Sequence, residues 1–202
     1  MRIFIVLLLF CSSSLWADSQ IQRHWDFKVL VDDREVGSHQ FSVIGGQGGW
    51  SVSSTMEMDF KILRIKQITY QHHATEQWQD GCLVHVSSHT KRQRKETTLQ
   101  ASLIASGLSV ITENSDRVLE GCVRSFAYWN PELLQGQRLL NVETGTYIPV
   151  TVSSKVSAQD NITHITIAGP KISIRLQYDA SGDWLSLQTN LKTGAVLKYQ
   201  RI

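Results

Sequence analysis

Side chains able to move protons or hold metals crowd between Tyr70 and His89: His72, His73, Glu76, Cys82, His85 and His89. Strand parity sets Tyr70, His72, Ala74, Glu76 and Trp78 on one face and Gln71, His73, Thr75 and Gln77 on the other. Aromatics, an imidazole and a carboxylate on one face are unusual for a plain core. They suggest general acid–base chemistry by His72 and Glu76, with Tyr128 as a third group. At roughly 3.3 Å per residue the two lie about 13 Å apart, so each needs a partner from a neighbouring strand. The structural alternative is a wet outer face, or a buried glutamate paired with an arginine. Zinc sites favour close pairs such as Cys-x2-Cys or His-x3-His on a helix. His85 and His89 are four apart on a strand, about 13 Å, so no metal site is expected, and no cofactor.

Cys82 has two readings. It is a reactive thiol with His85 or His72 as base, or it pairs with Cys122 in a disulfide closing a loop of 122 − 82 = 40 residues. Each of these cysteines follows a glycine, Gly81 or Gly121, which eases close backbone approach. The compartment favours the disulfide. Met1-Arg2, the apolar run Ile3–Phe10 and a small residue at Ala17 have the layout of a secretory signal peptide cut before Asp18. The apolar run is too short for a bilayer, which takes about 20 residues. Lipidation at Cys11 fits less well, because bulky Phe10 precedes it. Residues 1–17 are therefore read as a signal, and residues 18–202 as one periplasmic or secreted domain without a transmembrane segment. Removal of Cys11 leaves an even pair in an oxidising setting.

The elements that must position these groups are strands. Trp25, Phe27, Val29 and Val31 share one face, as do His39, Phe41 and Val43. Trp50, Val52, Ser54, Met56, Met58 and Phe60 alternate with polar residues. Turn signals recur at Thr144-Gly145, Gly169-Pro170, Ser181-Gly182 and Thr193-Gly194. One short helix is expected at 131–135, with Asn130 as N-cap, Pro131 at its first position and Gly136 at its end. About ten to twelve short strands in local hairpins predict an all-β, mainly antiparallel meander, curled into a barrel or half-barrel.

Composition narrows the function classes. Twenty Lys+Arg against eighteen Asp+Glu leave a net +2, without the basic excess of a nucleic-acid binder. The basic run Lys91–Lys95 reads as a solvated hairpin tip. Gly45–Gly49 lacks the Lys-Ser/Thr of a phosphate loop, and no Gly-x-Ser-x-Gly elbow occurs. The leading expectation is a barrel that binds an apolar or amphipathic small molecule, a lipid included. Its lining candidates are Trp50, Met56, Met58, Tyr70, His72, Glu76, Trp78, Tyr128 and Trp129. An acid–base enzyme and a non-catalytic envelope assembly partner are the alternatives.

Several signatures together resemble a family of uncharacterised exported bacterial proteins, a domain of unknown function. They are Tyr70-x-His72, Glu76-x-Trp78-x-Asp80-Gly81-Cys82-Leu83 and Cys122-x-x-Ser125-Phe126-Ala127-Tyr128-Trp129-Asn130. Leu139-Leu140-Asn141-x-x-Thr144-Gly145 and the stretch from Tyr178-Asp179 through Trp184 to Tyr199 extend the likeness over nearly the whole mature chain. The resemblance implies an exported bacterial protein and supplies no catalytic residues. Periplasmic half-barrels that hold lipids are similar at the level of fold alone.

Overall fold

The computed structural model describes residues 20–46, 48–62 and 66–202; the expected signal peptide, residues 1–17, lies outside them. Strand alternation becomes a long meander. Its first eight strands are β1 (Ile21–Val31), β2 (Arg34–Gly46), β3 (Gly49–Ile62), β4 (Lys66–Gln79), β5 (Cys82–Arg92), β6 (Lys95–Ile104), β7 (Gly107–Thr112) and β8 (Ser115–Leu119). A short hairpin follows, β9 (Arg138–Leu140) with β10 (Tyr147–Pro149). The chain closes with β11 (Thr151–Val156), β12 (Thr163–Gly169), β13 (Ile172–Tyr178), β14 (Trp184–Asn190) and β15 (Val196–Arg201).

Thirteen strands form one antiparallel sheet in the order β11-β12-β13-β14-β15-β1-β2-β3-β4-β5-β6-β7-β8. The pairing of β1 with β15 joins the two halves of the chain. The end strands β8 and β11 do not pair, so the sheet stays open. Of the two expected forms, this is the half-barrel. Two departures from expectation have local causes. Fifteen described strands replace about ten to twelve, because β7 and β8 are only six and five residues long and split off by two-residue turns, and β9 and β10 are only three residues each. The expected helix is a single 3-10 turn, Pro131–Leu134. Asn130 caps it as read, its side-chain oxygen accepting from Glu132 N at 3.0 Å, and the chain leaves the turn after Leu134.

One face of the sheet is the core face. Trp25, Phe27 and Val29 of β1, Phe41 and Val43 of β2, and Leu99 and Ala101 of β6 are buried on it, with polar neighbours turned outward. Trp184 packs its ring 4.4 Å from Phe27 and 5.0 Å from Phe41, which ties the late strands to the early ones. Gly37 allows β3 to lie tightly against β2: a Cβ there would run into the Glu57 carbonyl.

Candidate functional site

Residues 120–150 leave the sheet after β8 and return across its core face. Val123, Ser125, Ala127, Trp129, Leu133, Leu134, Leu139 and Leu140 are buried there. The root of this segment is pinned by a disulfide between Cys82 and Cys122, with Cα atoms 5.1 Å apart. The pairing reading is therefore the one realised, and Cys82 is not a free thiol. Backbone bonds continue the attachment: Leu83 N donates to Val123 O at 2.9 Å and Leu140 N to Arg124 O at 2.7 Å. Ser88 donates to the Val142 carbonyl at 2.5 Å in the middle of the face. The segment divides the expected site into two ends.

At one end, Glu76 sits between Val52 and Val86 in the ladder. Ser125 Oγ and Trp78 Nε1 both donate to Glu76 Oε2, at 2.8 and 3.0 Å. Burial pushes the Glu76 carboxyl up to about 7, and these two hydrogen bonds pull it back only in part. Trp129 packs against Trp78 and Trp50, with ring centroids 6.0 and 5.7 Å away. A cleft of about 230 Å³ opens beside this trio, lined by Trp50, Trp129, Val43, Arg23, Glu132 and Ser181 among others. Trp25, Trp78 and Trp184 each donate their indole hydrogen, to Asp183, Glu76 and the Ser186 carbonyl. Trp129 Nε1 is buried without an acceptor.

At the other end, Tyr70 donates to Glu143 Oε2 at 3.1 Å, and Arg92 lies over the Tyr70 ring while donating to Glu143 Oε1 at 2.9 Å. A tight turn presents Glu143: the Asn141 side chain accepts from Glu143 N and Thr144 N, and Gly145 closes the turn at φ +70°. His72 Nδ1 pairs with Thr90 Oγ1 at 2.7 Å, and His39 Nδ1 with Tyr199 Oη at 2.9 Å. Burial lowers His39 to about 3, helped by nearby His72, and burial likewise lowers His72. A polar cleft of about 380 Å³ borders this end, lined by Thr90, Arg92, Thr97, Asn114, Ser115 and Glu143 among others.

The expected site residues are thus only partly assembled. Tyr70, His72 and Trp78 point inward as their parity requires, and Trp50, Trp78 and Trp129 meet. Met56 is buried between His39 and His72 in the ladder, and half-buried Met58 pairs with Tyr70 across β3 and β4. His72 and Glu76 have separate partners and do not meet. Tyr128 joins neither: its ring lies 5.6 Å from Trp184, and its carbonyl accepts from Tyr178 Oη at 2.8 Å. Ser125, Glu143, Arg23, His39 and Tyr199 are site residues that the sequence pattern alone does not single out. His39 was legible on the core face of β2, but only the ladder brings it to Met56.

No curated protein matches the sequence. The fold is similar to the crystal structure of a beta-barrel-like protein of domain of unknown function DUF1849 from Brucella abortus. That match has a TM-score of 0.61 at 12% identity and covers 89% of this chain and 94% of that one. At such identity the likeness concerns the fold. The family model for the domain of unknown function DUF6134 matches residues 27–202, and the chain belongs to that family.

Proposed function

We propose that the protein is an exported, non-catalytic binding protein of the bacterial envelope that takes a small amphipathic molecule, lipid-like ones included, in the cleft beside Trp50 and Trp129. The observation that carries this reading is the cleft's mixed chemistry. Two indoles and Val43 supply apolar surface, Arg23 supplies a cation at the rim, and Trp129 is the buried indole lacking an acceptor. Aromatic rings with one polar handle suit a ligand that is apolar along its body and polar at one end. At about 230 Å³ the cleft is smaller than the roughly 300–1,000 Å³ of drug-sized sites, so it suits a headgroup or a single short chain. The separation of His72 from Glu76 favours binding over acid–base catalysis.

Decanoate offers a chain for the indoles and a carboxylate for Arg23, and tryptophan emission reports its arrival. A saturable change in emission that Trp50→Ala abolishes and Arg23→Ala weakens is expected. Native mass spectrometry of protein purified from its host envelope gives the second readout, an added mass that Trp50→Ala loses. No emission change, together with a bare mass for the envelope-purified protein, overturns the reading.

A further inference from the structure

The ladder aligns Phe27, His39, Met56, His72 and Thr90 as one rung across β1 to β5. His39, Met56 and His72 are 7%, 7% and 8% exposed, so the middle of this rung is a buried set of two imidazoles and a thioether. Directly opposed side chains have Cβ atoms about 4.5–5.5 Å apart, so both rings flank the Met56 side chain. Each ring is held by its Nδ1, His72 on Thr90 Oγ1 and His39 on Tyr199 Oη. The Met56 sulfur shares that second anchor, 3.6 Å from Tyr199 Oη. His39 Nε2 is buried with no hydrogen-bond partner. Most buried side-chain polar atoms have a partner, so an unpaired ring nitrogen here calls for an explanation.

We propose that His39 Nε2, His72 Nε2 and Met56 Sδ form a binding site for copper(I). Thioether and imidazole donors in a buried setting suit a soft monovalent ion of low coordination number, whereas calcium and magnesium ask for oxygen ligands. Among the described residues no three His, Cys, Asp or Glu come together as a metal cluster. This set escapes that pattern because its third donor is a methionine. The anchors do what outer partners of metal-bound histidines do: they occupy one ring nitrogen and fix the orientation of the other. Burial holds both imidazoles in the neutral form that a metal requires. Met56 has three rotatable bonds and one weak polar contact, so its sulfur can swing onto an ion. Entry runs from the polar cleft, whose wall includes Thr90, the partner of His72.

The test is anaerobic titration of the mature, disulfide-bonded protein with copper(I), kept reduced by ascorbate, in competition with bicinchoninate. X-ray absorption at the copper edge then reads the ligands. One copper per chain with nitrogen and a single sulfur scatterer is expected. Met56→Leu conserves volume in the core and should remove the sulfur signal and weaken binding about tenfold or more. A variant with His73, His85 and His89 all changed to Asn, which alters outward-facing histidines, should keep its copper. Should Met56→Leu fail to fold, silver(I) added to protein carrying methyl-labelled methionine answers instead. Met56 and Met58 are the two methionines after residue 17, and only the Met56 methyl should shift. Chelator that keeps all the copper, copper lost with the outward histidines, a site without sulfur, or an unmoved Met56 methyl each overturns the proposal.

Discussion

Ser125 donates its hydroxyl hydrogen to Glu76 across 2.8 Å, joining residues 49 apart in sequence and fastening the returning segment to the core face. The acceptor is an acid in an apolar row, with Val52 and Val86 as its ladder neighbours. Its carboxyl is pushed up to about 7 from an ordinary 4.5, chiefly by burial. The bond that holds the segment thus rests on a group whose charge the fold disfavours.

Stability should follow that titration. A raised acid pKa means the folded state binds the proton more tightly than the unfolded chain does. The full contribution is present below about pH 4.5, is lost as pH rises towards 7, and stays lost above it. At about 1.4 kcal/mol per unit the loss is of order 3 kcal/mol. Glu76→Gln has no such proton to lose. Denaturant unfolding at pH 5, 6, 7 and 8 should show the native protein losing stability relative to the variant, and parallel curves would refute the assignment.

The core face was legible because its alternation is strict. Trp25, Phe27 and Val29, or Tyr70, His72 and Ala74, are buried at every second position as their period requires. Residues 120–150 carry no such period. Their burial is set by partners far along the chain, Ser125 on Glu76 and Glu143 on Tyr70, separated by 49 and 73 residues. The reading of a helix over 131–135 located a real cap at Asn130 but not the buried segment around it. The rung of His39, Met56 and His72 needed register as well as parity. Gly46 opposes Gly49, and counting outward from that pair brings His39 opposite Met56. The Gly45–Gly49 loop was therefore the available signal for half of the rung.

Breaking the Cys82–Cys122 bridge should weaken the fold without erasing it. The bridge closes a separation of 40 residues, which the chain-entropy model values at about 4 kcal/mol. Leu133, Leu134, Leu139 and Leu140 of the same segment are buried and supply an apolar attachment besides the bridge. The double variant Cys82→Ser, Cys122→Ser should keep its far-UV spectrum and shift its guanidinium midpoint downward by an amount equivalent to about 2–4 kcal/mol. Loss of strand signal in buffer alone would mean that the segment depends on the tether rather than on its leucines.

The Tyr70–Glu143 contact should be the strongest single polar anchor at its end of the segment. Tyr70 is buried, and burial with the Glu143 charge holds its phenol well above its ordinary pKa, so it remains a donor at any physiological pH. Glu143→Ala removes its acceptor and leaves a buried hydroxyl unpaired, which costs about 1–3 kcal/mol. Arg92 touches the same carboxylate, but its side chain is 61% exposed, so Arg92→Ala should cost less than about 1 kcal/mol. Tyr70→Phe takes away the group that needs the acceptor. Glu143→Ala should therefore cost clearly less on the Tyr70→Phe background than on the native one, a coupling that denaturant unfolding of the four proteins resolves. Equal costs on both backgrounds would show that Glu143 acts through Arg92 or through its turn, and that the phenol is satisfied elsewhere.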